Sequence, residues 1–495
     1  MIRFQRSRLN LAAATVGATL SLAGGAVIAA GGLQVVGLLA AGLAAFAVGW
    51  LLLWRVLMDP RFAIYVVGAG AVGLMAINGL RVNANTTYSD LLLVAVATLI
   101  VLLALVGGHI PRLPLWLVIG GGLILASAVI VQLYPPRRLP PDILNATFFV
   151  SAVTGTSSPV EPNLVLASRL LIALVVAPIV VGLLPTTWRQ CRVLISFWLG
   201  GVAISSAVGV LAVLTPLDLQ NSLTGIPPTF GDRAIGLTVH PVSLGLTAAF
   251  AFPVAFSRMI SAGHTLRYAP LTVLFLLAVV VSGSRAPLAE CGLALILVAA
   301  AQSRSRRQIL TAVMIAAPPL IVLWPKISQL AVFQRLLGAS GQNSNAQHLS
   351  AVTSGLQAFA DRPIGSGFQA IRTAHDVPIQ LLESGGPLAL LGYGIVIIGA
   401  IRLGFWVYGR APASLKSEVT GLLASMGVLL GEALVGNSSF DRYLYLPIGL
   451  LLGMSFVAQR QPPAVDEALN GGGTKPNLML EQDLASLRSV TAQHR

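Results

Sequence analysis

The sequence predicts an all-α, polytopic transmembrane protein with about fourteen helices, and three observations carry that prediction. Hydrophobic residues fill 56% of the 495 positions against 10% charged, and the mean hydropathy is +0.83. A soluble domain of this length needs far more polar surface to enclose its core. The apolar residues fall into runs long enough to cross about 30 Å of hydrocarbon, which takes roughly 20 helical residues. The runs are continuous and rich in Leu, Val, Ala and Gly, without the alternation of a barrel wall.

Taken in order, the first seven spans are placed at 9–29, 34–54, 62–80, 90–107, 115–133, 164–184 and 193–214. The second seven are placed at 236–256, 268–282, 287–301, 309–325, 386–403, 419–436 and 444–458. Arg3, Arg6 and Arg8 ahead of the first run give it the look of a secretory signal. It lacks a convincing small-residue cleavage site and is read as a retained helix. Residues 1–458 form one membrane domain, with a large outer loop at 326–385 between the eleventh and twelfth helices. The tail, 459–495, opens on a Pro- and Gly-punctuated stretch and is expected to be cytoplasmic and disordered apart from a short helix near 477–489. Internal repeats of either sense are not evident.

The net charge of +14 would point to nucleic acid in a soluble protein. In a membrane protein it reflects retention of Lys and Arg in cytoplasmic loops. With the N-terminus inside, the segments assigned to the cytoplasm hold twenty of the 31 basic residues and those assigned outside hold ten, with Arg169 inside a span. This bias sets the expected orientation in a bacterial inner membrane, multi-pass, with the long loops at 134–163, 215–235 and 326–385 on the periplasmic or exterior face. Long outer loops and short inner ones put the working surface outside. Two cysteines, Cys191 and Cys291, imply no disulfide framework.

Three constellations on the outer side can carry chemistry. The first runs from Gly231-Asp232-Arg233 through His240-Pro241 to Gly245 at a loop–helix boundary. Arg233 and His240 there can face a polar cavity, or can be a snorkelling arginine paired with Asp232 and a histidine capping a helix. The second is Ser282-Gly283-Ser284-Arg285-Ala286-Pro287, a tight break between apolar runs. Arginine at membrane depth is costly unless it faces water or an anion, and Pro287 suits the first turn of a following helix whose positive end would reinforce the pull on a phosphate. The third is the large loop, which carries Lys326, Arg335, His348, Arg362 and Arg372 and ends on Pro363-Ile364-Gly365-Ser366-Gly367-Phe368 and Ala374-His375-Asp376 through Glu383-Ser384-Gly385-Gly386. A histidine beside a carboxylate can stay partly neutral and accept a proton, although a loop histidine is often simply solvated. Within the membrane, Glu290, Glu432 and Arg169 are the conspicuous charges, read as a proton path or, more simply, as interhelical pairing or neutralised carboxyls. No Walker loop, dinucleotide fingerprint or zinc motif occurs in a supporting context, so no ATP site is evident and no cofactor is expected.

These stretches, in this order over residues 230–395, resemble the O-antigen ligase and O-antigen polymerase family of bacterial membrane glycosyltransferases. The first 200 residues match only as generic membrane helices. The resemblance implies a GT-C-like helical fold and a metal-independent glycosyltransferase for polysaccharide biosynthesis. Its donor would be a glycan on a polyprenyl-diphosphate carrier, and its acceptor either a lipid A–core-like glycolipid or another carrier-linked glycan. It implies that Arg285 holds the diphosphate, that His375 is the general base, that Arg233 and His240 line the cavity, that Arg335 is a partner for Arg285, and that Glu383 positions His375 or the acceptor. The chain departs from the family in one place: many members have a further loop arginine before the Pro-x-Gly-x-Gly turn, where this sequence has His348. A lipid diphosphate is an activated leaving group, so guanidinium groups to bind it and a base for the acceptor hydroxyl suffice, with inversion expected. The competing expectation is a lipid-linked-oligosaccharide flippase or other polytopic transporter, whose basic residues should line a cavity open to both faces. A third is a passive scaffold for envelope assembly. Membrane lipids are expected partners and nucleic acid is not.

Overall fold

The computed structural model describes residues 60–83, 86–105, 111–136, 163–215, 219–224, 233–261, 265–302, 339–368, 376–436 and 441–460. The chain divides into two compact units, Met1–Val67 and Gly68–Arg495. In the first, the described residues are the opening turns of a helix; everything below concerns the second.

The described residues are almost entirely helical, and seven helices are long and apolar enough to cross a membrane. Helices α1 (Pro60–Leu74), α2 (Tyr88–Leu105) and α3 (Leu115–Leu133) stand where the third to fifth spans were expected. A short antiparallel hairpin, β1 (Arg81–Asn83) with β2 (Thr86–Thr87), joins the first two. The sixth span is a composite of α4 (Asn163–Leu171), a π-helical turn at Ile172–Val176 and α5 (Ala177–Leu183). Then come α6 (Trp188–Leu214), the short α7 (Leu219–Thr224), α8 (Pro241–Ile260), α9 (Thr265–Val281) and α10 (Arg285–Ala301). Helices α11 (Ala339–Asp361), α12 (Val377–Arg410), α13 (Lys416–Val435) and α14 (Leu446–Arg460) complete the order. The spans expected at 9–29, 34–54 and 309–325, and the tail beyond Arg460, lie outside the described residues.

Two features of the large loop differ from expectation. It contains a 23-residue helix, α11, rich in Ser, Gln, Asn and Ala and only weakly apolar, so no hydrophobic run announces it. Helix α12 begins at Val377 rather than at 386, because Asp376 caps it (its carboxylate accepts from Ile379 N at 2.9 Å) and Pro378 suits the first turn. The loop–helix boundary expected at 385/386 is a kink within α12, with Gly386 at φ +67°.

Helix α8 is the hub. It packs against α6, α9, α10 and α13, and nearly all its residues are buried. Two of its polar groups bond to α13: Ser257 donates to the Ser417 carbonyl at 2.7 Å, and the Phe250 carbonyl, three residues before Pro253, accepts from Ser425 at 2.7 Å. Small residues set the closest approaches. A Cβ on Gly120 of α3 would lie 2.6 Å from the Gly392 carbonyl of α12, and one on Gly392 equally close to that of Gly120.

Cross-links between connections sort the helix ends into two sets. At the His240 end of α8, Gly79 N donates to the Leu237 carbonyl at 2.8 Å, Phe368 N to Asn163, and Arg442 pairs with Asp90. At the Arg258 end, Arg192 bonds Ser414 and Glu418, and Gln302 bonds Ser257. Each of these links joins two segments that the charge bias assigns to one side.

Candidate functional site

The residues of the first two sequence motifs meet at the His240 end of α8. Helix α9 stops at Val281 and α10 starts at Arg285, leaving a turn of three residues in which Gly283 takes φ +63°. Arg233 lies across that turn: its Nε donates to the Ser282 carbonyl at 2.9 Å and its Nη2 to the Ser284 hydroxyl at 2.9 Å. Ala234 N donates to the Val281 carbonyl at 3.0 Å, and a Cβ on Gly245 would sit 2.7 Å from Ser282 Oγ and 3.0 Å from Pro287. The expected pairing of Arg233 with Asp232 is not described, since Asp232 lies outside the described residues.

Diverting the Ser284 hydroxyl towards Arg233 has an electrostatic consequence. Ser284 is the N-cap of α10 yet makes no side-chain capping bond. The first turn therefore keeps its positive end without a capping oxygen from Ser284. Arg285, half-buried, opens that turn beside the half-buried Arg233. Two guanidiniums and a helix N-terminus at the rim of the bundle suit an oxyanion with several oxygens, such as a phosphate.

His240 caps α8, its Nδ1 accepting from Val242 N at 3.1 Å, while Thr238 Oγ1 bonds its carbonyl at 3.0 Å. Helix capping, one of the two roles open to it from the sequence, is thus a role it has. His348, on α11, comes close enough to Arg285 to feel its charge. Burial, and then that charge, push the imidazole below its ordinary pKa. The structure therefore brings Arg233, Arg285 and His348 to one region from three separate stretches of chain.

The two halves of the third motif also meet. Ser366 N donates to the Glu383 carbonyl at 2.7 Å and Gly367 N to the Ser384 carbonyl at 2.9 Å, laying the Pro363–Phe368 turn along the start of α12. Gly365, at φ +96°, touches the Ser384 carbonyl so closely that any Cβ would collide, and a Cβ on Gly386 would lie 2.5 Å from the Pro363 carbonyl. Glu383 is buried, at 2% exposure, beneath this turn. Asp376, expected beside His375 as its carboxylate partner, spends one oxygen on capping α12, and burial holds its pKa above the usual range. Arg335 and His375 lie outside the described residues.

Several supporting residues had no motif to announce them. Gln220 Oε1 accepts from Ile235 N at 2.5 Å and Gly236 N at 2.7 Å, Ser205 Oγ from Leu237 N at 3.1 Å, and Asn78 Oδ1 from Val239 N at 3.2 Å. Asn163 Oδ1 accepts from Phe368 N at 2.8 Å while its amide donates to the Ala128 carbonyl at 3.0 Å. For Asn78 and Ser205 the available signal was an amide or hydroxyl within a mostly apolar stretch, which in a membrane protein needs a partner. Glu290 and Glu432, both buried, lie across the α10–α13 interface near enough to feel each other's charge. Among the described residues no group of three metal-ligating side chains occurs. No protein-family model matches the chain, and a search of curated proteins finds no match.

Proposed function

We propose that the chain is a glycosyltransferase of the bacterial inner membrane that moves a glycan from a polyprenyl-diphosphate carrier to an acceptor glycan or glycolipid on the outer face, as an O-antigen ligase or polymerase does. The observation that carries this reading is the clamp of Arg233 on the turn before Arg285. It ties Arg233 to the residue that precedes Arg285 at the start of α10, and Arg285 lies near enough to His348 to act on it. The resemblance over residues 230–395 supplies the rest of the assignment, including a GT-C-like architecture and His375 as the base.

In this reading the donor diphosphate lies against Arg285 and the start of α10, and the leaving oxygens are stabilised as charge develops on them. Arg233 is held by the turn and so holds the turn in place, which makes it a positioning residue as well as a source of charge. His348 stands where many members of that family have an arginine, and burial, with the Arg285 charge behind it, lowers its pKa, so it brings less positive charge there than an arginine would. His375 takes the proton from the acceptor hydroxyl, which attacks the anomeric carbon as the carrier diphosphate departs.

The test is transfer from a lipid-linked glycan by purified protein. Arg285→Ala should lower turnover by a factor on the order of 10²–10³ with normal membrane insertion. His375→Ala should cost on the order of 10²–10⁴. Wild-type product from Arg285→Ala would remove the catalytic role of Arg285, and no product from the wild-type protein would leave a flippase or scaffold. Product on a lipid A–core acceptor identifies a ligase, and a ladder of carrier-linked chains a polymerase.

A further inference from the structure

The opposite end of the bundle holds a second basic site that the proposed reaction does not use. A cleft of about 420 Å³ opens there between α6, α8 and α9. It lies at the C-terminal end of α8, whose 20 residues span about 30 Å. Arg258 forms its inner wall and Arg267 stands exposed on its lining, with Tyr268 between them at 5.3 Å from one guanidinium and 5.7 Å from the other.

The charge of this cluster is unbalanced. Glu418 takes Arg192 Nε at 3.3 Å and Arg258 Nε at 3.4 Å on the same carboxylate oxygen. Arg267 on the cleft lining adds a third guanidinium to this end of the bundle. Arg258 is only 3% exposed, its Nη1 reaches Ser196 Oγ at a long 3.4 Å, and its buried Nη2 makes no hydrogen bond that meets ordinary geometry. A buried guanidinium that shares one carboxylate with Arg192 and otherwise has the Tyr268 side chain and a long contact to Ser196, next to a second guanidinium at the mouth, suits an anion.

The remaining wall says what kind of anion. Leu271 and Leu274 follow Arg267 and Tyr268 at helical spacing along α9, so the lining turns apolar within two turns towards the membrane interior. We propose that this cleft binds an anionic glycerophospholipid, with its phosphate at the mouth beside Arg267 and Tyr268, in the field of Arg258 behind them, and an acyl chain along Leu271 and Leu274. A basic pocket between membrane helices with an apolar floor has the two-part chemistry of such a lipid.

Native mass spectrometry of the full chain, with phosphatidylglycerol or phosphatidylcholine added to the detergent, reads the site directly. Wild-type protein should retain phosphatidylglycerol in preference to phosphatidylcholine. Arg267→Gln, a change at an exposed position, should cut that preference by about five-fold, the worth of one cation near a lipid surface. Arg258→Lys keeps a charge for Glu418 but loses the fork and should also weaken retention. Leu274→Trp should expel the lipid with both arginines intact. Equal retention of the two lipids, or a preference unchanged by Arg267→Gln, would overturn the proposal. Full displacement of phosphatidylglycerol by millimolar inorganic phosphate, with Leu274→Trp harmless, would also overturn it by making the site one for free phosphate.

Discussion

Arg233 and Ser284, 51 positions apart in sequence, are joined by a 2.9 Å hydrogen bond from the guanidinium Nη2 to the hydroxyl. Ser284 is also the N-cap of α10 and makes no side-chain capping bond, so the residue that could cap the helix instead receives an arginine. The geometry of the bond depends on Gly283, whose φ of +63° folds the turn under the arginine and whose missing side chain leaves Arg233 Cγ 3.0 Å from where a Cβ would stand. Gly283→Ala should therefore destabilise the protein by about 1–2 kcal/mol through backbone strain alone. Transfer activity should fall further as Arg233 is displaced. Thermal unfolding in detergent measures the first effect. Gly292→Ala, on the same helix α10 with open space around it, serves as the control and should leave both readouts near wild type.

His348 gives the donor site a predicted pH dependence. Burial and the Arg285 charge lower its pKa, so the folded protein releases a proton that the unfolded chain would hold just below the ordinary histidine pKa. Its contribution to stability is full at neutral pH and is lost as the solution is acidified through that window. An inorganic diphosphate bound at Arg285 offsets the repulsion and favours the protonated imidazole. Binding should then tighten between pH 7.5 and pH 6 with uptake of a proton, measurable by calorimetry in two buffers of different ionisation enthalpy. His348→Gln should remove the proton uptake while retaining binding; uptake that persists in the variant would assign it elsewhere.

The sequence foretold the helical membrane class and most helix positions, because a long apolar run has few alternatives in lipid. Its motifs singled out Arg233 and the Ser284-Arg285 step as separate stretches, and the structure joins Arg233 to Ser284. What it could not show was the means. Nothing in the string Ser-Gly-Ser announces that its carbonyl and hydroxyl receive Arg233, since the partners are supplied by a distant loop. Helix α11 escaped because its apolar content is too low for a hydrophobic pattern, and the early start of α12 because a capping aspartate at position 376 reads equally as a catalytic neighbour of His375. Gln220, Ser205, Asn78 and Asn163 escaped for the same reason: each acts through a backbone group far away in sequence.

Asp441 offers a test at a second place on the same end of the bundle. Burial raises its carboxyl from 3.8 to about 6, opposed by a hydrogen bond from Tyr443 and by the Arg81 charge. The folded state thus binds a proton that the unfolded state releases between those values, and this site's contribution to stability declines as pH rises through that interval and is flat above it. Asp441→Asn should flatten the stability profile between about pH 4 and pH 6. Thermal unfolding across that range in wild type and variant checks it; parallel profiles would show that Asp441 titrates normally.

The direction in which the whole bundle faces is settled by one crossing. Ser350 lies exposed on α11 and Ala413 exposed beyond the end of α12. The two are separated by a helix of 34 residues, about 50 Å along its axis, which spans a bilayer even with the kink at Gly386. Hydrogen bonds tie the Pro363–Phe368 turn to the start of α12, and Arg192 ties Ser414 to the far end, so these positions belong to opposite faces. Which face is outside rests on the arginine bias. In a chain with Cys191 and Cys291 replaced, an impermeant maleimide applied to spheroplasts should modify Ser350→Cys and spare Ala413→Cys until the cells are opened. Labelling in the reverse order would turn the Arg285 site towards the cytosol, where a glycan exported on its carrier is not found, and the proposed reaction would have no donor.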